Sequence, residues 1–403
     1  MATTWRLAFE DLQRAAPGAA GLLRLLAFCA PEAIPLRLLL QPRPGLAGQL
    51  APEAAPVLVP LLEDELAAGD AVAALRRYSL ARPAGDGLVS VHRLVQAVTA
   101  GQIPEGLRDA WRQAAAAVID AAIPGDPLQS SAWPVFAVLL PHAQAALSAG
   151  NEAMGRIAGY LRRSGSYAAA RDLYRGMVED RVRVLGAEHP QTLAARADAA
   201  HLTGKAGDAA GARDQFAALL AVYERVSGPD HPDALIARAK VARFTGEAGD
   251  AAGARDQFAA LLPVYERVLG PDHRDTLAIV RADLARFTGE AGDAAGARDQ
   301  YAGLLAVVER VFGPDDPETL SDRANMARFT GEAGDAASAR DQFTALLPAS
   351  ERLLGPDHPN TLLARVRLAR FTGEGGMRPG PATKAPRCCP SSSGSWAPST
   401  RTP

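Results

Sequence analysis

The 403-residue sequence is poor in cysteine and has no long apolar run. Of its three cysteines, Cys29 lies in a leucine-rich stretch, and Cys388 and Cys389 are adjacent near the end of the chain. This spacing fits neither a metal site nor a disulfide framework, so we expect Cys29 to lie in the core. No apolar run approaches the roughly 20 residues that a bilayer crossing needs. The first ten residues also lack a basic start followed by an apolar core. We therefore expect a soluble, cytoplasmic protein without membrane contact.

Neither sign of charge dominates, and groups arranged for catalysis are missing. The 43 Lys and Arg residues face 45 Asp and Glu residues, which gives no reason to expect a nucleic acid partner. The sequence holds no Gly-x-x-x-x-Gly-Lys-Ser/Thr loop to bind phosphates, and no pattern that pairs a nucleophile with a base. We therefore predict no enzyme activity, no cofactor and no metal.

A five-residue motif, Arg-Phe-Thr-Gly-Glu, returns four times in the second half of the chain. Its phenylalanines are Phe244, Phe287, Phe329 and Phe371, with spacings of 43, 42 and 42 residues. A period of this length, with a glycine-marked turn in each copy, is typical of a solenoid of helix pairs. The function of such a protein lies in a repeated surface.

Each copy of the repeat predicts two helices. In the copy from Pro232 to Gly270, apolar residues recur at intervals of three and four, first in helix A and then in helix B. Gly249-Asp250 predicts the turn between them, because glycine accepts a left-handed backbone and aspartate caps the next helix. Between repeats stand His189, His231, His273 and His358, which we interpret as turn residues and not as metal ligands.

One copy is a residue longer than the others. Asp233 precedes its motif phenylalanine by 11 positions, whereas Asp275 precedes Phe287 by 12. An inserted residue rotates the apolar face of a helix by about 100°. We therefore predict a π-bulge or a shifted helix start around Leu277 to Arg281.

The pattern Leu284-Ala285, Gly292, Ala297 and Tyr301, with its counterparts in the other copies, resembles the tetratricopeptide repeat (TPR). The longer period and the Leu-Gly-Pro-Asp-His linker resemble the kinesin-light-chain type, although Thr288 stands where that family often has an aromatic residue. This resemblance implies a mostly α fold with a right-handed α-α superhelix over residues 151–375, made of about five helix pairs and one unpaired helix. It also implies binding of a protein or peptide in the concave groove.

The expected groove residues lie on helix A of successive repeats. By analogy with TPR proteins, we expect Gly246 and its equivalents to leave room for a partner. Arginine and glutamate four residues apart can also pair on one helix face, so a ladder of weak, solvated ion pairs is an equally good interpretation. The candidate residues are His201, Lys205, Arg243, Glu247, Arg286, Glu290, Arg328, Glu332, Arg370 and Glu374.

The first 150 residues predict a different structure. Helical spacing from Gly21 to Phe28 and from Ala71 to Tyr78 precedes a hairpin pattern, with Ser79–Arg82 and Leu88–Val91 on either side of its turn. This order indicates a winged-helix-like domain over residues 1–100. Trp133-Pro134 and Leu140-Pro141-His142 resemble the helical spacer that bacterial NB-ARC/STAND signalling ATPases place before a TPR array, which implies a helical spacer over residues 101–150.

Thr4-Trp5 and the segment Val91-His92-Arg93-Leu94-Val95-Gln96 resemble the region after the nucleotide-binding module of bacterial NB-ARC/STAND signalling ATPases. The resemblance implies association with such a module, and a role for His92 in sensing its nucleotide. Arg93 departs from the acidic residue that is frequent in the family. A helix-start or wing-packing role for His92 is the stronger expectation, since the chain itself holds no phosphate-binding loop.

After Glu374 the repeat pattern stops. Codons for the expected continuation Asp-Ala-Ala-Gly-Ala-Arg-Asp-Gln, read one base late, can give the observed segment from Met377 to Lys384. We therefore interpret residues 376–403 as a disordered tail read out of frame. An ordinary Pro/Ser-rich tail is the alternative. In either case the last helix, about Asn360 to Gly373, lacks its partner helix and should fray.

Three functions stay open from the sequence. The first is the TPR arm of a STAND-type sensor, which binds a protein or peptide. The second is a nucleotide-dependent switch that remains active. The third is a gene fragment without a function.

Overall fold

A computed structural model describes Phe9, residues 11–356 and residues 358–374. The chain divides into two compact units with the boundary between Gly253 and Ala254. Nearly all regular structure in both units is helical, as predicted. The division falls inside the helix Ala251–Val268 of the repeat array. Complete repeats lie on either side of this helix, so each unit contains repeats of its own. The domain boundaries at residues 100, 150 and 375 stay predictions.

The first unit begins with short helices around a small sheet. Its helices are Pro17–Leu26, Leu36–Leu39, Ala55–Glu63, Glu65–Arg77 and Arg93–Gln102, with a 3-10 turn at Ala47–Gln49. The strands are β1 (Ile34–Pro35), β2 (Arg82–Gly85) and β3 (Leu88–Ser90), in the order β1-β3-β2 and antiparallel throughout.

The predicted hairpin is present as β2 and β3. Its first strand begins at Arg82, three residues later than expected, because Ser79 takes a positive φ of 56° that ends the preceding helix. Pro83 lies in β2, which is an outer strand of the sheet, where the missing proline N–H breaks no interior ladder. A register irregularity between Pro83 and Gly85 shapes the turn.

Gln96 joins the helix after the hairpin to the first helix of the unit. Its side-chain amide is buried and donates to the backbone oxygens of Leu26 (2.7 Å) and Cys29 (3.0 Å). Cys29 is buried as expected, and burial raises the pKa of its thiol to about 12.

Two further helices follow, Glu105–Ala122 and Trp133–Ala146, with a 3-10 turn at Ser130–Ala132 between them. Trp133 packs edge-on against Tyr160 of the first repeat, with 6.0 Å between the ring centroids.

The repeats follow as pairs of helices, which we number 1 to 5 and call helix A and helix B. Trp5 and the tail after Glu374 lie outside the described residues. The interpretation of the tail as a segment read out of frame therefore stays a prediction. A further helix A follows repeat 5. The pairs are Glu152–Arg163 with Tyr167–Leu185, Pro190–Lys205 with Ala209–Ser227, Pro232–Glu247 with Ala251–Val268, Thr276–Glu290 with Ala294–Val311, and Pro317–Glu332 with Ala336–Leu354, and the last helix A is Pro359–Glu374.

The turns are built as the sequence predicts. Gly249 and Gly292, between helix A and helix B, have φ of 111° and 110°, a region that glycine enters without the steric cost of a Cβ atom. The aspartate that follows caps helix B, as when the Gly296 N–H donates to Asp293 Oδ1 at 2.8 Å.

The inter-repeat histidines also cap helices. The N–H of Asp233 donates to Nδ1 of His231 at 3.2 Å, and Asp316 takes the same role in repeat 5. These side chains are therefore turn residues, as we interpreted them. The same contact is made by His189, His273 and His358.

Neighbouring repeats are held together by stacked rings. In each unit an aromatic ring of helix B lies parallel to the motif phenylalanine of the next helix A. Offset aromatic pairs of this kind stabilise a contact by about 0.5–1.5 kcal/mol beyond their buried area. The pairs are Phe216–Phe244 at 5.7 Å, Phe258–Phe287 at 5.8 Å, Tyr301–Phe329 at 6.0 Å and Phe343–Phe371 at 6.1 Å between centroids.

The inserted residue of repeat 4 is accommodated in a π-helix over Thr276–Arg281, at the predicted place. The wider turn absorbs one residue, so the α-helix that continues as Ala282–Glu290 keeps its apolar face. As a result Phe287 stays fully buried, like Phe244 and Phe329 in the neighbouring repeats.

The last helix A keeps an uncovered apolar side among the residues that the structure describes. Phe371 is buried against repeat 5, but Leu362, Leu363 and Val366 are 44%, 46% and 65% exposed. A helix B at this place would cover such residues, as helix B does in repeats 1 to 5. Whether this helix frays stays a prediction.

Candidate partner-binding site

The motif residues of repeats 4 and 5 form a continuous series of ion pairs. Arg286 Nε lies 3.1 Å from Glu290 Oε1, and Arg328 Nε lies 2.9 Å from Glu332 Oε1. Arg328 Nη1 also reaches back to Glu290 Oε1 at 3.4 Å, which joins one repeat to the next. We call Arg286, Glu290, Arg328 and Glu332 the charge ladder. Its side chains are only 23–29% exposed, so they are less screened than a typical surface pair.

The arginines of the charge ladder also cover the stacked rings. The guanidinium carbons of Arg286 and Arg328 lie 4.6 Å from the centroids of Phe287 and Phe329. A guanidinium over an aromatic face gains cation–π attraction of about 0.5–2 kcal/mol. The buried rings of Phe287 and Phe329 therefore hold the two arginine side chains in place. A partner would contact charges whose positions are already fixed.

The remaining candidate residues are placed in the same helices. Arg243 is half-buried and Glu247 is exposed in helix A of repeat 3, and both take part in interactions. Arg370 lies over Phe371 at 5.3 Å in the last helix, and Glu374 is its last residue. A binding role for any of these residues stays a prediction.

The ladder changes character in repeats 1 and 2. His201 and Lys205 stand where repeats 3 to 5 have arginine and glutamate, and Arg163 takes the glutamate position in repeat 1. His201 is half-buried, and its ring centroid lies 6.2 Å from that of Phe244. Burial and the positive charges of Lys240, Lys205, Arg243 and Arg162 lower its pKa to about 4. The ring is therefore neutral at physiological pH.

Gly289 and Gly331 do not leave room for a partner, which corrects the expectation from the sequence for these two equivalents of Gly246. A Cβ atom at Gly289 would lie 2.1 Å from Cε1 of Phe329, and one at Gly331 would lie 2.3 Å from Cε1 of Phe371. Gly204 meets Phe244 in the same way. Gly204, Gly289 and Gly331 therefore make room for the phenylalanine of the following repeat.

His92 starts a helix. The N–H of Leu94 donates to its Nδ1 at 3.2 Å, which caps the helix Arg93–Gln102. This geometry is that of the helix-start role. A contact of His92 with a nucleotide stays a prediction.

Two buried acids in helix A of repeats 4 and 5, Asp283 and Asp322, were not foreseen. Asp322 is 4% exposed at a position where repeat 3 has Ala237 and the last helix has Ala364. Burial raises its pKa to about 7, and the nearby charges of Glu318 and Asp283 act in the same direction. Tyr301, which replaces phenylalanine in this repeat, donates its hydroxyl to the backbone oxygen of Ala282 at 2.9 Å. The sequence did contain a signal for this cluster, because Asp322 replaces an alanine and Tyr301 replaces a phenylalanine of the aligned repeats.

Comparison with known families gives the assignment of the array. The tetratricopeptide repeat family matches residues 152–191, 192–233, 235–275, 277–318 and 319–360, together more than half of the chain. The chain belongs to the tetratricopeptide repeat family. A second match, to a domain family of unknown function, DUF7779, covers residues 8–106 of this TPR protein.

Solved structures with similar helix arrays are more distant. A Podosopora anserina protein described as a "putative kinesin light chain" with nearly identical TPR-like repeats is 18% identical, with a TM-score of 0.42 over 51% of this chain and 96% of its own. A thermophilic TPR protein of Thermus thermophilus is 20% identical, with a TM-score of 0.39 over 55% of this chain and 98% of its own. The STAND protein with a TPR sensor from Pyrococcus horikoshii is 9% identical, with a TM-score of 0.38 over 91% of this chain and 62% of its own. No curated protein matches the sequence.

Two further observations concern the residues that the structure describes. None of their helices is both long and apolar enough to cross a membrane. Nor do the described histidines, cysteines and acids converge in a group of three that could hold a metal ion.

Proposed function

We propose that this TPR protein is a protein-protein interaction scaffold that binds a peptide or protein segment along helix A of successive repeats. The observation that carries the proposal is the charge ladder. Its four side chains repeat with the period of the array and remain partly exposed. A partner segment with charges at a similar spacing could exchange these internal ion pairs for intermolecular ones.

The internal pairing has a consequence for specificity. Surface ion pairs of this kind are each worth only about 0.2–1 kcal/mol, so a partner displaces them at small cost. A partner without complementary charges gains nothing in return, and it leaves partly buried charges unpaired. The ladder thus favours a partner whose own charges alternate in sign.

We further propose that the scaffold is the arm of a STAND-type signalling protein in the cytoplasm. Three features support this: the order of a helix-and-hairpin domain before the array, the resemblance of Val91–Gln96 to the STAND segment, and the three-stranded sheet whose hairpin follows helix Glu65–Arg77 in the chain. This arrangement is the basis for a winged-helix-like domain. Its partner would be a nucleotide-binding module, whose nucleotide the exposed His92 would sense.

The scaffold proposal is tested by charge reversal in the ladder. The wild-type chain and the double variant Arg286→Glu/Arg328→Glu are used to capture partners from extracts of the source cell. We expect proteins captured by the wild type to be lost by the variant, since the two positive charges offered to a partner are replaced by carboxylates that repel Glu290 and Glu332. Mass spectrometry of the captured proteins gives the measurement.

The matched control is the double variant Arg298→Glu/Arg340→Glu in helix B of the same repeats. These arginines pair with the adjacent Asp299 and Asp341 at 2.8 Å and are more exposed than the ladder arginines, and their replacement changes the net charge equally. Circular dichroism checks that all three proteins are folded. Equal capture by the ladder variant and the wild type would contradict the proposal.

A further inference from the structure

A pocket at the end of repeats 1 and 2 is lined by cations that form no ion pair within 4 Å in the described part of the chain. It measures about 300 Å³, and we call it the basic pocket. Arg162 and Arg163 end helix A of repeat 1, and Lys205 ends helix A of repeat 2. The remaining wall is formed by Tyr167, His201 and Leu202.

Arg162, Arg163 and Lys205 differ from the arginines of the later repeats because they form no close ion pair in the described structure. In repeats 4 and 5, each motif arginine meets a glutamate four residues later in its own helix. In repeats 1 and 2 that glutamate position is occupied by Arg163 and Lys205 instead. Repeats 1 and 2 thus have a positive side chain where the later repeats have a glutamate. No acidic residue in the lining of the pocket balances the charges of Arg162, Arg163 and Lys205.

Other charges around the pocket strengthen its positive character. Lys240 and Arg243 act on His201 together with Lys205 and Arg162. One acid, Asp198, interacts at longer range with Arg162 and Arg181, but it forms no ion pair in the described structure. Neutral His201 adds a ring nitrogen, Nδ1, that is buried without a hydrogen-bond partner among the described residues. Polar groups left in this way are costly unless a ligand or water satisfies them.

We propose that the basic pocket binds a carboxylate side chain of an acidic segment in the partner. This inference rests on the proposed scaffold function and names the chemistry of one contact in the first unit. Arg162 and Arg163 offer planar N–H forks that match a carboxylate, and Lys205 offers a point charge from the neighbouring repeat. Tyr167 and Leu202 give the methylene groups of a glutamate an apolar wall. The volume accommodates such a side chain but not a folded domain.

A structural role is the competing explanation for the same residues. All three cations lie in the last turn of a helix, where positive charge interacts favourably with the helix dipole. That role would make their removal destabilising but would give the pocket no ligand. Stability and binding must therefore be measured separately.

The test uses the full chain and a capped, fluorescently labelled octaglutamate peptide, with octaglutamine of the same length as the neutral probe. We expect the wild type to bind octaglutamate, and the double variant Arg163→Glu/Lys205→Glu to lose affinity roughly tenfold or more, measured by fluorescence anisotropy. The matched variant Arg183→Glu/Arg213→Glu changes the net charge equally at exposed ion pairs outside the pocket and should bind like the wild type.

A second measurement reports the pocket itself. A carboxylate beside His201 should raise the pKa of its ring from about 4 toward the usual range, because it opposes the surrounding positive charges. NMR titration of the His201 ring with and without octaglutamate shows this shift. A merely structural role of the cations would leave the titration unchanged on addition of the peptide.

Several results would overturn the proposal. These are equal binding of octaglutamate and octaglutamine, equal loss of binding in the matched variant, or an unchanged His201 titration. Binding of a phosphoserine peptide without binding of octaglutamate would replace the carboxylate by a phosphoryl group and also refute the proposal as stated. Partner capture that depends on the charge ladder, with no octaglutamate binding, would leave the scaffold function standing and reject only this inference.

Discussion

The two ends of the repeat array share one packing rule and differ in their charges. In repeat 2 and in repeats 4 and 5, the motif glycine receives a phenylalanine of the next repeat. The charged residues beside that contact are paired in the charge ladder, but they are unmatched in the basic pocket. The glycine–phenylalanine contact between repeats therefore recurs at both ends of the array. The charged residues beside this contact differ between the two ends, so they can determine which partner each end binds.

The shared packing rule gives the largest expected effect. We expect Gly204→Ala in the first unit and Gly289→Ala in the second each to lower the free energy of unfolding by about 2–4 kcal/mol, since the added Cβ meets a buried ring. Chemical denaturation measures the change.

The control for these two variants is Gly373→Ala in the last helix. The described structure has no atom within 4 Å of a Cβ placed there. Alanine is also the better helix former by about 1 kcal/mol, so this variant should be neutral or slightly stabilising. Destabilisation by Gly373→Ala equal to that of the other two would refute the packing rule.

The second prediction concerns pH, and it separates the two units. The pKa of Asp322 is raised in the folded chain, so this residue favours the folded state at low pH and loses that contribution as pH rises from about 4 to about 7. The pKa of His201 is lowered to about 4, so its contribution is present above its usual pKa and is lost as pH falls toward 4. Acidification from neutral pH should therefore stabilise repeats 4 and 5 and destabilise repeat 2.

Residue-resolved hydrogen exchange at pH 5 and pH 8 would measure both responses in one protein. Asp322→Ala restores the residue type of Ala237 and Ala364 and should remove the response of repeats 4 and 5. At pH 8 this variant should gain roughly 2–4 kcal/mol over the wild type, as expected for a carboxylate whose pKa is raised by burial. A parallel response of both units to pH would contradict the prediction.

The third prediction tests the ladder as a source of stability. Glu290 accepts ion pairs from Arg286 and from Arg328, so Glu290→Gln removes the link between repeats 4 and 5. We expect a loss of only about 0.5–1.5 kcal/mol, smaller at high salt, because the side chains are partly exposed. Glu309→Gln, which removes the Arg323 ion pair between helix B of repeat 4 and helix A of repeat 5, provides the comparison. An effect that ignores salt would show that the link is not electrostatic.

The smallest expected effect comes from converting one end of the array into the other. His201→Arg with Lys205→Glu recreates in repeat 2 the arginine and glutamate of the charge ladder. An added pair four residues apart on one helix face stabilises by about 0.2–0.5 kcal/mol. The same double variant should lose octaglutamate binding, so a small gain in stability with a large loss in binding is the expected signature.

The extent to which the sequence predicted the structure differs between fold and site. The turns followed from Gly249-Asp250 and the linker histidines because backbone conformation and capping depend on neighbouring residues. The π-helix followed from counting one extra residue between Asp275 and Phe287. By contrast, the motif glycine was assigned to ligand access, because nothing in one repeat reveals that the ring it receives belongs to the next.

Local chemistry was thus decided by the sequence alone. The repeat period, the helix pairs, the caps and the place of the insertion depend on interactions within about a turn of helix, and these can be read along the chain. The tertiary structure alone decided which charges face each other. The pairing of Arg328 with Glu290, the unmatched cations of the basic pocket and the buried state of Asp322 arise between residues on different helices. Their energies depend on burial and on distances that no spacing in the sequence contains.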